Sequence, residues 1–302
     1  MDFDLTDDQR AIEETARAFA AAELAPHAAR LDEERVLPRA VLQQAAELGF
    51  AGLYVREDVG GSALTRLDAS LVFEQLSYGD VAVAAFISIH NMAAWMIDRY
   101  GSDHLRGRFL PGLTRMETIA SYCLTEPDAG SDAAALATTA VRDGDHYVLN
   151  GSKAFISGAG LSDLYLVMVR TGGPGAAGVS TLLVEAGSPG LSFGAPERKM
   201  GWNAQPTAQV HFQDCRVPVA NRVGEEGQGF RIAMAGLDGG RINIASCSLG
   251  GAGLALDIAK AHLATRRQFG QPLQAFQGLQ WRLADMATEF DAARLMVRRA
   301  AH

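Results

Sequence analysis

The densest run of chemically usable side chains is Tyr122-Cys123-Leu124-Thr125-Glu126-Pro127-Asp128-Ala129-Gly130-Ser131-Asp132, which leaves an apolar, β-rich stretch and enters a turn of small and polar residues. Pro127 and Gly130 make the backbone irregular there, and outward-facing amides and hydroxyls suit an anion or a heteroaromatic ring. Taken alone, the same run is equally a capped turn before a short helix. Two other runs match catalytic patterns and fail on context. Gly173-Pro174-Gly175-Ala176-Ala177-Gly178 has the spacing of a dinucleotide loop, but the β-rich run Val179–Val184 follows it. A phosphate-holding loop must open a helix, so a hairpin loop is expected. Gly190-Leu191-Ser192-Phe193-Gly194 has the spacing of a nucleophile elbow, yet Ala195-Pro196-Glu197-Arg198 follows instead of a helix. A surface strand or loop is expected there. Asp238 and Arg241, three residues apart, share a helix face and are most simply an intrahelical ion pair.

Other chemistry is excluded by count and spacing. The cysteines Cys123, Cys215 and Cys247 are far apart, with no CxxC and no histidine cluster, so no metal site or disulfide framework is expected. Three buried, reduced thiols are the expectation. The 302 residues carry 35 acids against 27 bases, a net charge of −8, which argues against a nucleic-acid partner. With 48% hydrophobic and 21% charged residues the composition is that of an ordinary globular chain. The start, Met-Asp-Phe-Asp-Leu-Thr-Asp-Asp, is acidic and resembles neither a secretory signal nor an Arg-rich transit peptide. No run of about 18 apolar residues is found, so no membrane span is expected.

The elements that must position these groups fall into three stretches. Residues 1–118 read as helical. Thr6 and Gln9 form a capping box, Ile12, Ala16 and Phe19 keep helical spacing, Arg39–Leu48 ends at Gly49, and Val81–Tyr100 is apolar on more than one face. Over 119–220 the period shortens. Strands are expected at Ile119–Leu124, His146–Leu149, Ser152–Ile156, Leu164–Val169, Val179–Val184 and Gln209–Phe212, with Asn150-Gly151 as a hairpin turn. Short strands without intervening helices point to a small barrel or sandwich rather than a parallel sheet. Residues 221–302 return to helix. Phe230–Thr265 reads as one long helix despite its glycines, which imply close packing or a ligand against the backbone. A last helix from Leu273 carries Leu279, Leu283, Met286, Phe290 and Leu295 at core spacing and reaches His302 without a stop signal, so the bundle is expected to be incomplete. The fold class is therefore α+β: a helical domain, a barrel or sandwich domain and a truncated helical bundle.

Several motifs in this order resemble the acyl-CoA dehydrogenases. They are the Thr125–Asp132 turn, Asn150-Gly-Ser-Lys-Ala-Phe-Ile-Ser157, Asp238-Gly-Gly-Arg241 and Arg266-Arg-Gln-Phe-Gly270. Trp95–Asp98, Gly201–Thr207 and Gly240–Gly250 are most similar to the branch of that family oxidising a valine-derived thioester. The resemblance implies an FAD-dependent oxidoreductase whose middle domain is an antiparallel β-barrel. Tyr122, Cys123, Leu124 and Thr125 would lie along the flavin, Gly130 and Ser131 near its phosphates, and Phe155, Ile156 and Ser157 on the other ring face, Ser157 beside the reactive nitrogen. Arg266, Gln268, Phe269, Phe276 and Gln277 would reach the FAD of a neighbouring subunit, implying a homo-oligomer, expected to be a tetramer. Ser131, Asp238 and Arg241 would bind acyl-CoA.

By the same resemblance the reaction is α,β-dehydrogenation of a short branched acyl-CoA, foremost isobutyryl-CoA. The alternatives are 2-methylbutyryl-CoA, a short straight chain, or a non-catalytic flavin- or acyl-CoA-binding fragment. Removal of a weakly acidic α-proton needs a positioned carboxylate and donors to the thioester oxygen. Some relatives carry that carboxylate just before the equivalent of Arg241. Gly240 stands there, which is expected to leave room beside the α-carbon and to place the base beyond residue 302. No catalytic residue is therefore assigned, Glu225, Glu226 and Glu289 are expected to be solvated, and the chain as written is expected to be inactive. An electron-transfer flavoprotein is the implied acceptor. The implied location is the cytoplasm in a bacterium or the mitochondrial matrix in a eukaryote.

Overall fold

The computed structural model describes residues 4–302; Met1, Asp2 and Phe3 of the acidic N-terminal run lie outside the described residues. Thr6 caps α1 (Asp7–Phe19) reciprocally with Gln9, as the spacing predicts. Then come α2 (Ala28–Glu34), α3 (Arg39–Glu47), α4 (Arg66–Gly79), α5 (Val81–Tyr100) and α6 (Asp103–Thr114). Eight strands follow: β1 (Ala120–Cys123), β2 (Thr139–Asp143), β3 (His146–Ser157), β4 (Leu164–Arg170), β5 (Val179–Glu185), β6 (Leu191–Phe193), β7 (Thr207–Pro218) and β8 (Arg222–Val223). The chain ends in α7 (Gly229–Thr265), a small hairpin of β9 (Arg267–Gln268) and β10 (Gln271–Pro272), and α8 (Gln277–Ala301).

The sheet corrects the expected closed antiparallel barrel. Its order is β6-β7-β3-β2-β4-β5-β8, with β1 added on β4. It is a mixed, open sheet, because β1 and β2 both run parallel to β4 and the end strands β6 and β8 do not pair. Parallel pairing joins residues distant in sequence and leaves no local turn signal, so strand-by-strand reading misses it. The Asn150-Gly151 hairpin is also corrected. His146–Ser157 is one strand, and the turn into it lies at Gly144. Gly151 instead marks a register shift against β7 at φ +147°, where a Cβ would come within 2.6–2.8 Å of Thr138. The two rejected motifs behave as expected: 173–178 joins the antiparallel pair β4–β5, and Leu191–Phe193 is strand.

The described chain divides into two compact units. The larger comprises Ala29–Leu64 and Phe86–Gly240. Here β4 is buried on both faces. Leu164, Leu166 and Met168 join a cluster with Ala93, Met96 and Ile97 of α5, while Tyr165, Val167 and Val169 join one with Tyr147, Leu149 and Val210 of the sheet. A strand covered twice reads as a continuous apolar run, which is how the sequence shows it. Gly236 lets α7 approach α5, since a Cβ there would stand 2.3 Å from Met96 Cε.

The smaller unit comprises residues up to Ala28, Thr65–Ala85 and Arg241–His302. Almost every residue of α4 is buried. Gly250 of α7 allows the tightest approach, because a Cβ there would stand 2.1 Å from both Glu74 O and Ser77 Oγ. At these two positions the glycines serve packing rather than a ligand. The core-spaced stripe of α8 stays largely uncovered, in keeping with the incomplete bundle expected from the sequence. Leu279, Leu283 and Phe290 are half-buried, Met286 and Leu295 are exposed, and only Ala301 of α8 is fully buried. Its partners lie along one side only, where Arg294 pairs with the buried Glu74 of α4. By length and composition α5 and α7 could each cross a membrane, although neither is an unbroken apolar run; the apolar stretch of α5 is 83% buried as a core helix.

Candidate functional site

Two sequence segments meet at the exit of β1. Ala154 N–H of β3 donates to Thr125 O at 2.8 Å, placing Thr125 edge to edge with the strand that carries Phe155 and Ser157. Beside that bond, Lys153 is fully buried and its Nζ donates to Glu126 Oε1 at 2.7 Å and to Leu124 O at 3.1 Å. Glu126 also accepts the N–H groups of Ala137 and Thr138. Burial pushes its carboxyl up, but the Lys153 ammonium and those N–H groups outweigh it and hold Glu126 below the usual carboxylate range. Burial pulls Lys153 down despite the opposing carboxylate. Removing one member of such a pair leaves an uncompensated buried charge, worth about 3–5 kcal/mol. The start of the turn is thus strapped to β3 by charge.

The bulge in β3 aims the next side chains. The register against β7 shifts between Lys153 and Ile156, and Phe155 sits at φ +58° and is 67% exposed. A bulky residue in that region carries about 1–3 kcal/mol of strain, which the strapped strand sustains. Ile156 turns inward to the core, and Ser157 follows half-buried. Ser157 O accepts from Ser121 Oγ and Ser157 Oγ accepts from Gln205 Nε2, both at 2.5 Å.

Of the residues named from sequence, Tyr122, Thr125, Phe155 and Ser157 are therefore brought together in the larger unit. Cys123, Leu124 and Ile156 belong to the same segments, but their side chains are core, so they can offer only backbone. Burial pushes the Cys123 thiol up to about 12, keeping it protonated. All three cysteines are buried and free of disulfides. Gly130 and Ser131 are exposed on the turn, which the Glu126–Ala129 bridge closes. Asp238 and Arg241 are exposed and three residues apart on α7. At Gly240 a Cβ would meet only Met92 Sδ, at 3.0 Å, within the larger unit. Glu226 is not simply solvated: it accepts the hydroxyl of Tyr147, and Glu225 pairs with Arg222.

In the smaller unit Arg266, Gln268, Phe269, Phe276 and Gln277 gather around the β9–β10 hairpin. The Phe269 ring is 92% exposed, at φ +48°, and edge-on to Phe276 with centroids 6.2 Å apart. Sequence reasoning assigned no role to Lys153, Glu126 or Gln205. All three lay inside the quoted motifs, but a lysine and a glutamate 27 residues apart, or a glutamine and a serine 48 apart, carry no local sign of pairing.

A flat heteroaromatic cofactor fits the cradle of the larger unit. The protein holds an aromatic ring in solvent on strained backbone beside a hydroxyl, and the Tyr122 hydroxyl is buried without a partner. The comparisons with known proteins agree. Residues 6–117, 121–215 and 227–302 match the N-terminal, middle and C-terminal domains of acyl-CoA dehydrogenases. The chain is 59% identical over 298 residues to the mitochondrial isobutyryl-CoA dehydrogenase of Dictyostelium discoideum, covering 98% of this chain and 72% of that one. Among solved structures, butyryl-CoA dehydrogenase from Megasphaera elsdenii superposes with a TM-score of 0.96 at 38% identity, covering 100% of this chain and 80% of that one. A structure titled PigA with FAD and proline gives 0.96 at 32% identity, with the same two coverages. Motif order, strapped turn, sheet and pairwise identity agree, and the chain belongs to the acyl-CoA dehydrogenase family.

Proposed function

We propose that the protein binds FAD against Tyr122–Thr125 and Phe155–Ser157 and serves the α,β-dehydrogenation of a short branched acyl-CoA, isobutyryl-CoA first. The observation that carries the reading is the Ala154–Thr125 junction, which sets the first two family motifs side by side with Phe155 exposed and Ser157 half-buried. FAD, when bound, supplies the acceptor for the β-hydride. The chain's own residues do the rest. Backbone groups of Cys123, Leu124 and Ile156 line the ring, the Thr125 and Ser157 hydroxyls bond its polar edge, and Phe155 shields one side from water. Gly130 and Ser131 take the phosphate side. Ser131, Asp238 and Arg241 take the acyl-CoA, as in the family pattern. No carboxylate of this chain is assigned the α-proton; Glu74 and Glu126 are committed to buried ion pairs and Glu226 to Tyr147.

The division at 118 and 220 into helical, sheet and helical domains follows the same reading. So do a homotetramer, with Arg266, Gln268, Phe269, Phe276 and Gln277 meeting a neighbour's FAD, and an electron-transfer flavoprotein as acceptor. The relative in Dictyostelium discoideum is named mitochondrial. In a eukaryote the matrix is the corresponding location, and in a bacterium the cytoplasm. The test is anaerobic titration of the FAD-loaded protein with isobutyryl-CoA, 2-methylbutyryl-CoA and butyryl-CoA. In a protein that carries the catalytic carboxylate, bleaching of the flavin band, strongest with isobutyryl-CoA, is expected; the 302 residues alone, with no carboxylate assigned to the α-proton, are expected to bind FAD with negligible bleaching. No bleaching by any of the three in either protein would leave a binding protein rather than an enzyme.

A further inference from the structure

A buried amide stands behind the Ser157 hydroxyl. Gln205 is 3% exposed; its Nε2 donates to Ser157 Oγ at 2.5 Å, while its Oε1 is buried with no partner. A half-paired amide is a poor filler for an apolar interior, where a methionine of the same reach would leave no acceptor unsatisfied. The local structure nevertheless holds it in place. Lys199 Nζ donates to the carbonyls of Trp202 and Gln205 and to Thr207 Oγ1, so three acceptors of one short loop converge on a single ammonium. Gly158 N–H donates to Pro206 O at 2.8 Å, fastening that loop to the end of β3. Asn203 is tied by its N–H and its side-chain amide to Asp32. The amide is locked on one target.

An amide NH2 group only donates, so on this side Ser157 Oγ serves as acceptor and keeps its own proton. The Ser157 carbonyl is already taken by Ser121. We infer that Gln205 is a positioning residue for the flavin: by donating to Ser157 Oγ it turns the serine proton outward and makes Ser157 a hydrogen-bond donor to a ring nitrogen. This rests on the proposed function and adds the residue that sets the direction of the bond. An apolar residue at 205 would release the hydroxyl to rotate, and a carboxylate there would draw the serine proton inward.

The test is a double-mutant cycle on the full chain with Gln205→Met and Ser157→Ala, read by FAD dissociation constant and by the position of the visible flavin band. Each single change is expected to weaken FAD by about threefold to tenfold, the range for one net hydrogen bond, and to shift the band alike. The double variant is expected to be no worse than Ser157→Ala. Gln205→Glu should give the same band as Ser157→Ala. Thermal midpoints serve as control, since a merely structural Gln205 would lower the midpoint without moving the band. Effects of the two changes that multiply, or an unaltered band and affinity in Gln205→Met, would overturn the inference while the wild type still binds FAD. Failure of the wild type to bind FAD would instead overturn the proposed function, and this inference with it.

Discussion

His90 lies between two backbone groups that dictate its protonation. Its Nε2 bonds Leu113 O at 3.0 Å and its Nδ1 accepts Ala120 N–H at 3.1 Å, just where α6 leads into β1. Only the neutral ring with its proton on Nε2 can do both. Burial accordingly pulls His90 down from 6.5 to about 4, against the smaller opposing effect of the Leu113 carbonyl. Because the unfolded chain takes up this proton near pH 6.5 and the folded chain only near 4, stability is full above pH 6.5 and falls as the pH drops through that window. A loss of about 3 kcal/mol by pH 4 is expected from this one group. Urea unfolding of the wild type and of His90→Gln at pH 7 and pH 5 checks it: the variant should start less stable and lose less between the two. Equal losses would exclude His90 as the source. The same residue-scale logic separates the site's side chains. At the proposed flavin site Phe155 is exposed and Thr125 and Ser157 are half-buried, whereas Cys123 and Ile156 are core and can offer only their backbone.

At the scale of elements, two helical glycines with identical intrinsic propensities should behave oppositely. A Cβ on Gly250 of α7 would collide with Glu74 O and Ser77 Oγ at 2.1 Å, and backbone cannot rotate aside. Gly250→Ala is therefore expected to destabilise by about 2–3 kcal/mol or more through overpacking. Gly107 lies inside α6 with nothing within 4 Å of a Cβ, so Gly107→Ala should stabilise by up to about 1 kcal/mol. Urea midpoints of the two variants decide it, and a neutral Gly250→Ala would mean that α7 can back away from α4. Strand β3 makes the complementary point. Its Asn150-Gly151 pair has the composition of a hairpin, but pairing with β2 up to Asn150 and with β7 on both sides of the pair overrides the local preference, and the glycine is used for a close approach to Thr138.

At the scale of the whole molecule, the unmet demand is the apolar side of α7 and α8. The groove between them is lined by Ala252, Leu256, Ala259, Met286, Phe290 and Val297, and Ile258, Met286 and Met296 are between 49% and 72% exposed. An apolar face of this kind promotes association in water. Sedimentation velocity across a hundredfold range of concentration should show self-association of the 302-residue chain. Met286→Glu should shift it toward monomer, whereas unchanged association in that variant would place the contact elsewhere. The acidic balance of the sequence does not prevent such contacts, because net charge acts over the surface as a whole and the patch is local.

The sequence by itself determined what is local. Capping at Thr6, the span Val81–Tyr100, the long α7, the rejection of both decoy loops, and the Thr125–Asp132 and Asn150–Ser157 motifs are all written in runs of neighbours, where helix period, turn residues and motif spacing act directly. Tertiary structure alone decided what depends on distant partners. Parallel pairing of β1 with β4 opened the barrel that consecutive strands had led us to expect. The Lys153–Glu126 strap and the Gln205–Ser157 contact join positions 27 and 48 residues apart. Whether a glycine marks a turn, a helix contact or open space depended on what stood opposite it. Spacing records which side chains lie on one face of an element; which groups meet across elements is fixed only by packing and buried hydrogen bonds.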